Sequence, residues 1–117
     1  MKNNILVIKH GALGDIILAG SAMQAIRNYH RNDNIICLTT AAFEGLLNSS
    51  PWFDNVFVDS KPKWNNLKDW SVLKNFFNKY NFIKVYDLQT STRSNLYFYF
   101  FYIYKNCNWS GIAIGSK

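Results

Sequence analysis

The sequence predicts an α/β domain built on a doubly wound parallel sheet, and three observations predict it. Short apolar runs recur at Ile5-Leu-Val-Ile8, Ile35-Ile-Cys-Leu-Thr39, Val56-Phe-Val58 and Phe82-Ile-Lys-Val-Tyr86. Runs with little polar alternation mark strands covered on both faces. Between them, apolar residues recur every three or four positions, the spacing of helices that bury one stripe. The first run also passes through a glycine turn, Gly11-Ala-Leu-Gly14, straight into such a helix. Strand–helix alternation of this kind specifies parallel strands joined by crossover helices.

Each element has its own reason. After the first strand, Ile16, Ala19/Gly20, Met23 and Ile26 predict one helix from Asp15 to about Arg31, closed by polar residues 29–34. Ile35 to Thr39 is the second strand. A short helix follows from Ala41 to about Leu47, with Thr39 or Thr40 as its cap and Glu44 placed as in a capping box. Pro51 and the turn after it precede the third strand, Val56 to Val58. Asp59 to Asn66 reads as a polar loop. Leu67, Trp70, Leu73, Phe76/Phe77 and Tyr80 predict a helix from Leu67 to about Tyr80, and Phe82 to Tyr86 is the fourth strand. The loop Asp87 to Thr92 leads to an aromatic helix, Arg93 to Tyr104, read as buried on the sheet in preference to a membrane-interface element. Trp109 to Ile114 is a fifth strand.

The 117 residues suit one domain, 1–117, without repeat or linker. With 49% hydrophobic and 17% aromatic residues the chain can bury a core. A net charge of +6 favours anionic partners, but the basic residues are scattered, which argues against nucleic acid. Cys37 lies in a core-like run, and neither Cys37 nor Cys107 belongs to a zinc-spaced cluster. No signal peptide and no run of about 20 apolar residues is present, so the expected location is cytoplasmic, with a membrane-surface role left open.

In an open parallel sheet, ligands bind beyond the carboxyl ends of the strands. Three loops fall there: His10 to Asp15, Thr39 to Ala42 and Asp87 to Arg93. The first lacks the Gly-Lys-Ser/Thr of a phosphate loop, and Lys9 stands where a dinucleotide fingerprint needs its first glycine. Thr39 and Thr40 also stand where a ribose-binding acid would follow the second strand. What remains is a turn whose glycines let a ligand approach the backbone, with Asp15 at the helix start. Asp15 reads, in preference, as a helix-terminal carboxylate that offsets the dipole, and otherwise as a general base. Lys9 either meets a phosphate or reaches solvent; His10 bonds a ligand or, in preference, the turn itself. The third loop, Asp87-Leu-Gln-Thr-Ser-Thr-Arg-Ser94, suits a polyhydroxylated or phosphorylated ligand, or simply caps the next helix. Trp64 is a candidate to stack on a sugar; Trp70 reads as core.

Taken in order, Ile5-Leu-Val-Ile-Lys-His-Gly-Ala-Leu-Gly-Asp15, Ser50-Pro-Trp-Phe-Asp54, Val85-Tyr-Asp-Leu-Gln-Thr-Ser-Thr-Arg-Ser94 and Trp109-Ser-Gly-Ile-Ala113 resemble glycosyltransferase family 9, the ADP-heptose:lipopolysaccharide heptosyltransferases and their relatives. The resemblance runs along nearly the whole chain. It implies a GT-B fold of two Rossmann-like domains, of which this chain matches an incomplete N-terminal, acceptor-side one. It implies transfer with inversion, without metal or cofactor, of heptose from ADP-heptose to the lipopolysaccharide inner core at the inner-membrane surface. Asp15 matches the family's proposed base. Lys9, Gly11 and Gly14 match the turn, and Gln89 and Arg93 line the acceptor side. The donor-binding domain has no counterpart here, so the expectation is a chain inactive alone, with that domain on a separate chain. The alternatives are a stand-alone Rossmann-like module that binds a phosphorylated or sugar ligand without catalysis, and a remnant without function.

Overall fold

A computed structural model describes residues 3–11, 13–60, 65–89 and 108–110, with the backbone alone at positions 13, 15 and 108–110. The elements in chain order are β1 (Asn4–Ile8), α1 (Leu13–Leu18), α2 (Gly20–Tyr29), β2 (Asn34–Thr39), a 3-10 turn (Ala41–Phe43), α3 (Glu44–Asn48), β3 (Asn55–Val58), α4 (Leu67–Tyr80), β4 (Lys84–Asp87) and β5 (Asn108–Ser110). The strands form one sheet in the order β3-β2-β1-β4-β5, and every neighbouring pair is parallel. The order reverses beside β1, which places β1 at the centre and its carboxyl end at the topological switch point.

The alternation of side chains along each strand divides the core in two. Leu6, Ile8, Ile36, Leu38 and Val85 face one way and pack with Leu73, Phe76 and Phe77 of α4 and with Phe82. Ile5, Val7 and Ile35 face the other way and pack with Ile26 of α2. Cys37 joins Ile16, Met23 and Leu47 on that same side. The sheet is therefore covered on both faces, as the apolar runs predict. Half-buried Phe57 stacks on Phe76 with centroids 4.0 Å apart, and a fully buried ring such as Phe76 contributes about 2 kcal/mol. Burial pushes the Cys37 thiol well above its ordinary range. Trp70 packs against the α4 side of the core, as expected.

The bounds of α4 follow from its ends. Asn66 accepts from the Asp69 N–H at 3.2 Å and donates to the Asp69 carboxylate at 2.8 Å, a reciprocal cap. At the far end Asn81 adopts the left-handed conformation at φ 50°, which stops the helix.

The structure corrects three expectations. The first helix begins at Leu13, two residues early, and is interrupted at Ala19. The following glycine, Gly20, weakens helical continuity, and the Trp52 ring lies 3.5 Å from where its Cβ would stand. Neither threonine caps the next helical segment, which is a 3-10 turn running into α3 without a side-chain cap. β4 starts at Lys84, because Phe82 leaves the strand path to fill the core under α4. Trp64, the helix expected over 93–104, Cys107 and the strand beyond Ser110 lie outside the described residues. No helix among the described residues is long and apolar enough to cross a membrane.

Candidate functional site at the carboxyl edge of the sheet

Four strand ends converge where the glycine turn leaves β1. Backbone bonds continue the sheet one step past the strands. Lys9 N–H donates to Leu38 O at 3.0 Å, and Leu88 and Gln89 N–H both donate to Ile8 O at 3.1 Å. The Asp87 carboxylate accepts from Gln89 N–H at 3.1 Å, an Asx-type turn that bends the chain over the end of β4. Asp87 is itself buried.

His10 is the residue that all four ends hold. Its N–H donates to Gln89 Oε1 at 3.0 Å, from the loop after β4. Its carbonyl accepts from the Thr40 hydroxyl at 2.7 Å, from the loop after β2. Its ring Nε2 lies 2.8 Å from Asp59 Oδ2, at the end of β3, with side-chain exposures of 3% and 0%. The expectation had not foreseen this ring contact, which comes from a carboxylate 49 residues away. Thr40 takes the role of anchoring the turn in place of capping a helix.

The next residue, Gly11, has φ +145°, and a Cβ there would stand 2.5 Å from Phe43 Cε2. Only glycine fits that backbone and that approach. Gly14 differs: it lies in the first turn of α1, outside the loop, and a Cβ there meets nothing within 4 Å. Asp15 follows it in the same turn.

Lys9 is 7% exposed and so does not reach freely into solvent. Its ammonium donates to Leu88 O at 3.4 Å, a long bond for a buried cation. Gln89 uses its carbonyl oxygen on His10 and keeps its amide N–H groups for another acceptor. Lys9, Gly11 and Gln89 are therefore brought together, and Gly14 and Asp15 stand in the adjoining helix turn; Arg93 lies outside the described residues. Asp59 and Thr40 are the residues whose part in this edge, as partners of His10, sequence reasoning missed. The signal was positional: a polar residue directly after a buried parallel strand belongs to this edge. Thr39, fully buried at the end of β2, has no hydrogen-bond partner for its hydroxyl among the described residues. Among the described residues, no group of three or more His, Cys, Asp or Glu side chains is placed to hold a metal ion.

Fold and edge together define a Rossmann-like α/β domain with Lys9, His10, Thr40, Asp59 and Gln89 gathered at the carboxyl end of β1. In structure, the chain is similar to a glycosyl transferase family 9 protein from Veillonella parvula DSM 2008, with a TM-score of 0.76 and 18% identity over 95% of this chain. The chain spans 32% of the length of that protein. No protein-family model matches the chain, and no curated protein matches it significantly.

Proposed function

We propose that the chain is the acceptor-side half of an inverting glycosyltransferase of the GT-B type. It moves heptose from ADP-heptose to the lipopolysaccharide inner core, at the cytoplasmic face of the inner membrane. A single observation carries the reading. A fold like that of a glycosyl transferase family 9 protein brings Lys9, Gly11 and Gln89 to one edge, beside the helix turn that holds Asp15.

In this reading the Asp15 carboxylate removes the proton from an acceptor hydroxyl. That oxygen bonds the anomeric carbon from the face opposite the nucleotide, and the bond to the diphosphate breaks, releasing ADP with inversion. Lys9 and Arg93 meet anionic groups of the acceptor, and Gln89 donates to its hydroxyls. Donor binding falls to a second Rossmann-like domain of the GT-B type, facing this one.

The test is transfer from ADP-heptose to heptose-deficient core lipopolysaccharide, with a family 9 donor domain added in trans. Asp15→Asn is expected to lose at least a hundredfold in rate while acceptor binding persists. Transfer that survives the substitution unchanged would overturn the base assignment.

One observation favours a second reading, a stand-alone module for a phosphorylated or sugar ligand. Lys9 is a buried cation whose described partner is one carbonyl at 3.4 Å, an arrangement that an anion would complete. Saturable binding of a sugar phosphate by this chain alone, with no effect of a donor domain, would support that reading over the first.

A further inference from the structure

We propose that the cleft at the amino end of β4 is a second binding site, for a small anion carried on a planar apolar body. The inference is independent of the glycosyltransferase reading. The cleft has a volume of about 350 Å³ and is lined by Tyr29, His30, Ile83, Lys84 and Tyr86. It opens where α2 ends and β4 begins, at the opposite edge of the sheet from the glycine turn. Small-ligand sites begin at about 300 Å³, so this one holds a single ring with one charged group.

Its back wall is fixed by a relay. His30 Nδ1 lies 2.9 Å from Asp33 Oδ2, and His30 Nε2 lies 2.8 Å from the Tyr86 hydroxyl. The Asp33 carboxyl is held below its usual range, foremost by the His30 bond. Ionised, it only accepts, so Nδ1 carries a proton and donates to it, while Nε2 pairs with the Tyr86 hydroxyl. The imidazole also meets Tyr29 and Tyr86 edge to face, with centroids 4.8 Å and 5.6 Å apart. Both ring nitrogens are thereby committed, which fixes the Tyr86 ring, and the largely exposed Tyr29 ring flanks the imidazole.

The charge comes from Lys84. Its ammonium lies 5.0 Å from the Tyr86 centroid. Among the described residues it makes no ion pair or hydrogen bond, so its three donors face the cleft uncommitted. Arg27, the other nearby cation, is tied to the Asp54 carboxylate and to the His30, Arg31 and Asp33 carbonyls. The one nearby carboxylate, Asp33, is turned to His30 and to the Asn3 N–H. A ligand anion therefore meets a cation without a competing acid, and its ring has Tyr29 and Ile83 to lie against. Lys79 sits over Tyr80 at 5.2 Å, the same pair, but that ring packs into the α4 core with no described cleft beside it.

The test is NMR titration of the full chain with benzoate and phenyl phosphate, against acetate and benzyl alcohol as the anion and the ring alone. Saturable shifts confined to Tyr29, His30, Ile83, Lys84 and Tyr86 are expected with the first two probes. Lys84→Met and Lys84→Gln should each weaken binding at least tenfold, and Lys79→Met should leave it unchanged. Acetate binding as tightly as benzoate means an adventitious ion only and overturns the proposal. So do benzyl alcohol binding as tightly, shifts that do not saturate, and wild-type affinity in either folded Lys84 variant.

Discussion

The His10 imidazole and the Asp59 carboxylate meet at 2.8 Å, buried from solvent and 49 residues apart in the chain. The contact bridges the ends of β1 and β3 across β2, and it fixes the residue from which the glycine turn departs. Removing one partner strands the other in a buried place. Asp59→Ala and His10→Ala are each expected to lower unfolding free energy by about 3 kcal/mol, read from urea midpoints. The double variant Asp59→Leu/His10→Phe should lose clearly less than the two single losses together, because no unpaired polar group remains. Additive losses would show that the pair is not coupled.

The two turn glycines make opposite predictions. Gly11→Ala forces a side chain into φ +145° and against Phe43, and should destabilise by about 2–4 kcal/mol. Adding Phe43→Ala frees the space but not the backbone, so recovery is partial. Gly14→Ala adds a methyl in open space within a helix and should stabilise by about 0.5–1 kcal/mol. If an acceptor approaches the Gly14 backbone, that variant gains stability while losing acceptor affinity. A gain in both would remove Gly14 from the binding surface.

What was legible in the sequence was local. Leu67–Tyr80 could be read to its ends because its period is strong and Asn81 follows it. Topology placed the loops that carry Gly11 and Gln89 at one edge, since every parallel strand delivers its next residues there, and the resemblance singled out Lys9, Gly11 and Gln89. The break at Ala19 was not legible, because Ile16, Met23 and Ile26 keep helical period straight across it. Asp59 looked like the first residue of a polar loop, yet it is buried and meets His10, from a distant segment. Thr40 matched a helix cap in sequence, but the His10 carbonyl outcompeted the helix for its hydroxyl. The misses share one cause: their partners are decided by packing between segments far apart in sequence.

Asp33 predicts a pH dependence of stability. The His30 bond is the largest cause of its lowered carboxyl pKa, with the Asn3 N–H adding to it. A carboxylate whose folded value lies below its unfolded one stabilises the fold above the unfolded value. That contribution fades as pH falls through the folded value. The stability difference between wild type and Asp33→Asn should therefore be constant above about pH 5 and shrink below about pH 4, as followed by urea midpoints. A difference that grows on acidification would reverse the sign and refute the assignment.

Thr39 offers a test of the edge that needs no ligand. Its side chain is fully buried, and its hydroxyl has no partner among the described residues. A buried hydroxyl without a bond costs about 1–3 kcal/mol of desolvation. Thr39→Val removes that group while keeping the branched shape that suits a strand, so it should raise stability by about 1 kcal/mol. Thr39→Ser keeps the hydroxyl and deletes a buried methyl, so it should lower stability by about 1 kcal/mol. Both are read from urea midpoints at constant slope. Opposite signs are the required result, because the methyl and the hydroxyl act in opposite directions at this position. If Thr39→Val destabilises as well, the hydroxyl is bonded in solution, and Thr39 then belongs with Thr40 among the groups that hold this edge together.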